Sequence, residues 1–357
     1  MHIAIKRGQR AGPVGHAAPN KARFKSALIR KALGILVFSG AALQCQATTQ
    51  ILGTIDIYTE FTRTNTQQRM LVDHDGLNAS KIAFRNTEDL GYMTVISDIE
   101  YPVIVAHGVT PPTDITGPRL AYMALQTEDG KLTVGKQYSP HYRVLSKLDG
   151  FGVSFWGNAY AIFKGGNKYQ YGRNDMVLEL APITDLKLAF AGGYSPGNDN
   201  DGGRGYLTFT LWPLSHLYIG SAAVFDHRYS VADPDAKLFL LGAAYEFDWG
   251  RISAGRQRIR TTQLGQVIDE STCGGIVRLS EKLDVRLDYS STRNANAPQN
   301  KALTYGLAVV YALNKRDAVY ASVASLRNGS SSGVGFALPV DSGGTTHDVL
   351  AGLRMNF

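Results

Sequence analysis

The sequence predicts an all-β fold, a 16-stranded antiparallel transmembrane β-barrel. Apolar residues recur at every second position over many short stretches, the stretches number sixteen, and short and long connections alternate between them. A side-chain period of two is typical of strands that have one apolar and one polar face. An even number of such strands, with tight turns at one end and long loops at the other, is typical of transmembrane barrels.

The first strand shows the pattern. In the stretch 51–63, Ile55 and Ile57 fall on one face, and Asp56 and Glu60 fall on the other. The same alternation, with boundaries uncertain by a few residues, predicts sixteen strands near 51–63, 78–87, 92–101, 117–126, 130–137, 174–181, 185–194, 204–213, 215–226, 236–248, 250–260, 271–280, 283–293, 301–312, 317–326 and 345–357.

The connections support a barrel over a soluble β-sandwich. Tight turns such as 181–184 and 249–250 alternate with longer polar segments, among them 64–77, 138–173 and 294–300. A sandwich would also show alternation, but nothing in its architecture requires connections that alternate in length. Both ends of the barrel domain are then expected on the short-turn, periplasmic side.

The first 47 residues have the three parts of a secretory signal peptide. They contain eight Lys and Arg residues, no acidic residue, an apolar run over 32–43, and small residues before a cleavage point after Ala47. The run is too short for a retained membrane helix, which needs about 20 apolar residues. We therefore predict a signal peptide over 1–47 and a barrel over 48–357.

The basic character of the chain resides in this leader. Without its eight basic residues, 29 of the 37 Lys and Arg remain against 30 Asp and Glu. The nearly neutral remainder gives no indication of a nucleic-acid partner. Only Cys273 follows the leader, so the barrel cannot form an internal disulfide.

Four motifs resemble those of the Gram-negative general porin family, in the family's order. Residues 80–91, SKIAFRNTEDLG, resemble its second strand and turn, SRLGFRGTEDLG. Residues 132–138, LTVGKQY, resemble its TLGRQY strand before the third loop, and 312–320 resemble its LSKRTxxY turn. The alternating final strand, which ends at Phe357, resembles the terminus read by the outer-membrane assembly machinery.

The resemblance implies a homotrimer of 16-stranded barrels, each narrowed by a third loop folded into the lumen. Here that loop is about 138–172, and a connection of this length in a compact fold is usually functional or disordered. Its aromatic residues favour a segment packed inside the barrel; they are Phe151, Phe155, Trp156, Tyr160 and Phe163.

Charged side chains at the narrowest point set the selectivity of a channel. By motif position, Lys81 and Arg85 match basic wall residues of the family, as do Lys136 and Arg173. Alternation also places Lys81 and Arg85 on the lumen face. It places Lys136 on the opposite face, with Leu132, so a position in the lumen would need a bulge at Gly135 or the end of the strand there.

The third loop departs from the family pattern, because it contains one acidic residue where the family usually has a cluster. Asp149 is its single carboxylate, and four cations stand against it, Arg143, Lys147, Lys164 and Lys168. This balance predicts a positive constriction and a preference for anions. Carboxylates predicted on the lumen face, including Asp56 and Glu60, would counter it, and the lysines could instead lie at the solvated mouth.

Two further signals have other interpretations. Arg256, Arg258 and Arg260 share one face of a strand, and either line the lumen or lie at a solvated strand end. The GYSPG stretch at 193–197 fits a nucleophile pattern, but no helix follows it as that motif requires. The sequence shows no catalytic site and no metal-binding or cofactor-binding motif.

The sequence thus predicts an outer-membrane channel for passive diffusion of small hydrophilic solutes and ions, preferring anions. Its expected partners are those solutes, the outer-membrane lipid, the assembly machinery through Phe357, and other copies of the chain. No cofactor and no nucleic acid are expected. The alternatives are a substrate-specific outer-membrane channel and, less in keeping with the motifs, a barrel enzyme or adhesin.

Overall fold

The computed structural model describes residues 46–104, 117–163, 169–180, 188–196, 203–227, 235–262 and 265–357. The chain divides into two units, Met1–Gln44 and Cys45–Phe357, and the described residues belong to the second. The predicted signal peptide lies outside them except for its last two residues, which open the first strand.

The described chain consists almost entirely of strands. They are β1 (Gln46–Thr64), β2 (Gln68–His74), β3 (Lys81–Asp89), β4 (Thr94–Pro102), β5 (Leu120–Thr127), β6 (Gly130–Tyr138), β7 (Tyr171–Leu180), β8 (Ala189–Ser195), β9 (Arg204–Leu214), β10 (Leu217–Asp226), β11 (Ala236–Phe247), β12 (Gly250–Thr261), β13 (Val267–Ser280), β14 (Leu283–Asn294), β15 (Ala297–Ala312), β16 (Ala318–Asn328) and β17 (Thr345–Asn356). Two helices, α1 (Pro140–Leu148) and α2 (Ala159–Ile162), lie between β6 and β7.

These seventeen segments form a closed antiparallel barrel of sixteen strands. Both β2 and β3 pair with β1, at its two ends, so together they make one barrel strand with an interruption. Each later strand pairs with the next, and β17 closes the barrel on β1, from Thr54 opposite Asn356 to Thr64 opposite Thr346. The predicted fold class is confirmed.

The strands place apolar side chains outside and polar ones inside. In β17, Val349 is 50% exposed and its neighbour Asp348 is 1% exposed, because the first faces outward and the second faces the lumen. This order suits a wall with lipid on one side and polar groups on the other. The part of the chain that the structure describes holds no helix with the length and apolar character needed to cross a membrane.

The interruption between β2 and β3 is organised by one carboxylate of β1. Asp75 adopts a positive φ of 74°, and Leu77, two residues later, is buried. The carboxylate of Asp56 accepts the backbone N–H groups of Gly76, Leu77 and Asn78, at 3.2, 3.1 and 2.8 Å. These bonds satisfy donors that leave the strand ladder at this point.

Two connections are shorter than predicted. The segment 64–77, expected as a long loop, forms the hairpin of β1 and β2, with Thr64 N–H bonded to the Gln67 carbonyl at 2.7 Å. The segment 294–300 is a tight turn, because β14 and β15 continue to Asn294 and from Ala297. In both places polar residues extend the strands beyond the apolar stretch, so alternation understated their length.

Candidate functional site

The connection between β6 and β7 folds into the lumen of the barrel. Its helix α1 begins after Ser139, whose hydroxyl accepts the Tyr142 N–H at 3.1 Å, with Pro140 in the first turn. Such a cap and a proline there both favour a helix start. The helix contacts strands β8 to β13, and its buried apolar residues are Val144, Leu145 and Leu148.

After α1, the loop turns around the carboxylate of Asp149. Its Oδ1 accepts the N–H groups of Phe151 and Val153 at 2.9 and 2.8 Å, and its Oδ2 accepts that of Ala159 at 2.7 Å. Burial raises the pKa of Asp149, and these three bonds to its charged form oppose the rise. The structure places this predicted constriction residue in the interior, where it organises the loop.

The middle of the loop is fixed to the wall formed by β14–β17 and β1. The Gly150 N–H donates to the Asp288 carboxylate of β14 at 2.7 Å. The Trp156 indole N–H donates to the Glu60 carboxylate of β1 at 3.2 Å. Both acceptors are buried lumen-facing carboxylates, so this wall uses its acidic groups to hold the loop.

The interrupted barrel strand supplies further anchors for the same segment. The Phe155 N–H donates to the Gly76 carbonyl at 3.0 Å, and the Ser154 hydroxyl donates to the Leu77 carbonyl at 2.8 Å. The break after β2 therefore exposes carbonyl groups that a continuous strand would have used in its ladder.

His141 fixes α1 to the barrel wall from the other end of the loop. Its Nε2 lies 2.6 Å from Gln257 Oε1, and the Gln257 amide donates to the Glu270 carboxylate at 2.6 Å. Burial lowers the pKa of His141 to about 4, so the ring is neutral at neutral pH and donates from Nε2. The loop thus lies along one side of the lumen.

The space between the loop and strands β3–β7 is lined by ion pairs. Lys81 Nζ lies 2.7 Å from the Glu100 carboxylate, which also pairs with Arg119. The Arg85 guanidinium donates from Nε to the Asp98 carboxylate at 2.9 Å. Each pair joins neighbouring strands of the same wall.

The two members of these pairs differ in their access to water. The Arg85 side chain is 44% exposed and that of Asp98 is 2% exposed; the values for Lys81 and Glu100 are 30% and 5%. The cations therefore face the water of the lumen, and the carboxylates lie behind them. In both pairs the cation is the more exposed member.

Two more cations line the same space. Arg143 extends from α1 to the Glu179 carboxylate of β7, and its guanidinium donates to the side-chain Oε1 of Gln137 at 3.1 Å. Lys131 of β6 lies with its Nζ 5.9 Å from the centre of the Tyr122 ring. The described charges of this space thus include five cations and four carboxylates; they are Lys81, Arg85, Arg119, Lys131 and Arg143, against Asp98, Glu100, Asp175 and Glu179.

Comparison with known proteins decides the family. A family model described as Gram-negative porin matches residues 32–331, most of the chain. The chain is a Gram-negative porin. Outer membrane porin protein 32 of Delftia acidovorans is 24% identical to this porin over 353 residues, covering 91% of the chain and 98% of the relative.

Solved structures show the same fold. An anion-selective porin from Comamonas acidovorans has a TM-score of 0.75 at 19% identity, covering 87% of this porin and 100% of that chain. OmpT of Vibrio cholerae, solved in a trimer form, has a TM-score of 0.62 at 16% identity, covering 87% and 99%. As a member of the Gram-negative porin family, the chain is an outer-membrane channel protein and not an enzyme.

The remaining predicted pore residues differ in where they lie. Lys136 follows Gly135, whose φ is 124°, at a shift of register between β6 and β7. It stands opposite Ala121 of β5, and its Nζ donates to the Pro118 carbonyl at 2.7 Å. The predicted irregularity at Gly135 is present, and Lys136 occupies the extracellular end of its strand.

Lys147 is exposed in the last turn of α1, beside cavities that Trp212 and Tyr218 also line. Lys164 and Lys168 lie outside the described residues. Arg173 belongs to β7, but its side chain is also outside the described part. For these residues a role in the pore stays a prediction.

The sequence reading did not single out Arg119 and Lys131. The parity of Lys131 with the buried Thr133 places it on the lumen face and could have identified it. Arg119 has the same parity as the outward-facing Met123, so alternation predicts that its side chain faces outward. The prediction is wrong because β5 begins only at Leu120 and Arg119 lies before it. Among the described residues, no group of His, Cys, Asp and Glu could hold a metal ion.

The arginines of β12 lie on the outer surface of the barrel. Arg256, Arg258 and Arg260 are exposed, and they alternate with the buried Gln257 and Ile259. Gln257 contacts the third loop, so its face is the lumen. Of the two interpretations left open by the sequence, lumen lining is therefore wrong, and these arginines contribute nothing to the pore wall.

Proposed function

We propose that this porin is a passive diffusion channel for small hydrophilic solutes and that it prefers anions. The observation that carries the proposal is the order of charges between the loop and β3–β7. In two of the ion pairs, Arg85–Asp98 and Lys81–Glu100, the cation is the more exposed member and the carboxylate is almost completely buried. Exposed charges at a narrow point determine which ions enter. The named anion selectivity of the Comamonas acidovorans relative supports the same conclusion.

The test is the reversal potential of the purified porin in a planar bilayer under a KCl gradient. We expect the reversal potential of the wild type to lie towards the equilibrium potential of chloride. Lys131→Gln and Arg85→Gln should each reduce that preference, because they remove a lumen cation. Arg258→Gln is the matched control, since it also removes a guanidinium paired with an aspartate, but from the outer surface. Cation preference in the wild type would refute the proposal.

We further infer that the signal peptide directs export, that the porin is embedded in outer-membrane lipid, and that it assembles as a homotrimer. The last strand is suited to the assembly machinery, because the Phe357 side chain is 58% exposed and its backbone pairs with Gly53. Deletion of Phe357 should lower the amount of porin assembled in cells. Native mass spectrometry of the assembled porin would determine the number of subunits.

A substrate-specific channel is the second candidate, and one observation favours it. A cavity of about 200 Å³ lies between α1 and the wall of β7–β10. Trp212 and Tyr218 provide aromatic surface there, and Arg143 and Lys147 provide positive charge. Block of the chloride current by an aromatic carboxylate at concentrations where acetate has no effect would favour this candidate.

A further inference from the structure

Two buried carboxyl groups on the wall of β14–β17 and β1 are joined through one threonine. Glu60 of β1 and Asp348 of β17 are each 1% exposed, and Thr62 is completely buried. Thr62 stands opposite Asp348 in the antiparallel register and two residues from Glu60 on the same face of β1. We call Glu60 and Asp348 the carboxyl pair.

The Thr62 hydroxyl contacts both members of the carboxyl pair. Its Oγ1 lies 2.7 Å from Asp348 Oδ2 and within hydrogen-bond distance of Glu60 Oε1. A hydroxyl group donates a single hydrogen, and an ionised carboxylate can only accept. If both carboxyl groups were ionised, one of the two contacts would join oxygen atoms with no hydrogen between them. The contacts therefore require a proton on one member of the pair.

The two carboxyl groups differ in how well their other oxygen atoms are satisfied. Glu60 Oε2 accepts the Trp156 indole N–H at 3.2 Å. Asp348 Oδ1 has no hydrogen-bond partner in the described part of the chain. A buried oxygen without a partner costs less free energy on a neutral carboxyl group than on a charged carboxylate. This difference favours the proton on Asp348 and the negative charge on Glu60.

The surroundings of the carboxyl pair do not neutralise a second negative charge. The other side chains that face the pair are Tyr58 of β1, Arg69 and Asp73 of β2, Ala324 of β16 and Trp156 of the third loop. Arg69 is the cation of this set, and its guanidinium donates to the Ala337 carbonyl at 3.2 Å. It forms no ion pair with another described residue. Two carboxyl groups this close do not both ionise at neutral pH without such a partner.

We infer that Asp348 is a positioning residue of the channel, whose protonated carboxyl group donates to Thr62 while the Thr62 hydroxyl donates to the Glu60 carboxylate. Glu60 is thereby held in place to accept the Trp156 N–H, which fixes the third loop. Loss of the Asp348 proton to hydroxide in the lumen would leave two buried negative charges competing for one hydroxyl hydrogen. The third loop would then lose its anchor on β1, so alkaline pH should open the lumen.

The proton can be observed by infrared difference spectroscopy of the purified porin at about pH 7. A protonated carboxyl group has a carbonyl stretching band that an ionised carboxylate lacks. Asp348→Asn should remove one such band from the wild-type spectrum. Asp98→Asn is the matched control and should keep the band, because Asp98 is also buried but is paired with Arg85. An unchanged carboxyl band in Asp348→Asn would overturn the assignment.

Single-channel records between about pH 7 and about pH 9 test the consequence for the loop, because ordinary carboxyl groups are ionised throughout this range and ordinary tyrosine and lysine titrate above it. In the wild type, conductance steps should become roughly tenfold more frequent at the upper end, as expected for the loss of one hydrogen bond to a charged group. Asp348→Asn retains a donor for Thr62 and cannot ionise, so its step frequency should change by less than about twofold. The same alkaline response in both proteins would overturn the inference.

Thr62 provides a matched pair of variants at constant pH. Thr62→Val removes the hydroxyl and nearly preserves the shape of the side chain, so conductance steps at about pH 7 should be roughly tenfold more frequent than in the wild type. Thr62→Ser keeps the hydroxyl and should stay within about twofold of the wild type. Stepwise openings would establish that each variant is folded. Wild-type records for Thr62→Val would show that the hydroxyl does not hold Glu60, and would overturn the inference.

Discussion

The two inner walls of the barrel use buried carboxylates in opposite ways. On the wall of β3–β7, Asp98 lies beneath Arg85, and the exposed partner is a cation. On the wall of β14–β17 and β1, Asp288 and Glu60 accept N–H groups of the third loop. The same kind of side chain therefore supports a charged surface on one wall and a narrowed lumen on the other.

The difference separates two properties of the channel. The loop-bearing wall determines the width of the lumen, because its acidic groups fix the loop in place. Under the proposed function, the opposite wall determines which ions enter, because the cations of its ion pairs face the water. Changes on the first wall should alter conductance and stability, and changes on the second should alter selectivity alone. The predictions below test this division.

The largest effect is expected from Asp149→Ala, which removes the centre of the loop. Three buried N–H groups would lose their acceptor, at about 1–3 kcal/mol each. The loop should leave its position, so conductance should rise and larger neutral polymers should enter the pore. Asp269→Ala on the outer surface is the control. An unchanged conductance in Asp149→Ala would show that the loop does not depend on this carboxylate.

The next effect concerns pH and His141. Its pKa is about 4 in the folded porin and about 6.5 when unfolded, so the unfolded chain binds more protons between these values. Stability therefore rises with pH, and the wild type should lose up to about 3 kcal/mol as pH falls from 6.5 to 4. His141→Gln should lose less over this range, as measured by thermal unfolding.

His216→Gln is the control for that measurement, because His216 is exposed in a short turn. It should leave the pH dependence as in the wild type. The same loss of stability in His141→Gln and in the wild type would mean that other groups govern the response to acid.

The sequence predicted the barrel because alternation is a local property of each strand. It predicted an inward loop because the aromatic residues need partners, and those partners include Glu60 for Trp156. It could not assign the structural role of Asp149. The charge of this residue does not reveal that its carboxylate accepts backbone N–H groups of the same loop, up to ten residues away. Arg119 was missed because alternation fails one residue before a strand begins.

A smaller effect is expected from Trp156→Phe, which keeps the ring but removes the donor to Glu60. One hydrogen bond to a buried carboxylate contributes about 1–3 kcal/mol. The loop should open more often, which single-channel records would show as more frequent conductance steps. Trp249→Phe is the control, because Trp249 is 54% exposed. Identical records for Trp156→Phe and the wild type would remove this anchor from the loop-bearing wall.

The smallest effect tests the division directly, with one charge removed from each wall. Asp98→Asn removes a negative charge behind Arg85, so the anion preference should increase by roughly twofold in permeability ratio. Glu60→Gln removes the same charge from the other wall and retains an oxygen that can accept the Trp156 N–H. Its permeability ratio should stay at the wild-type value, because the loop lies between Glu60 and the permeating ions. Reversal potentials under a KCl gradient measure both variants. Equal shifts in the two would mean that the lumen responds to its total charge, and that the separation between the walls does not hold for ions.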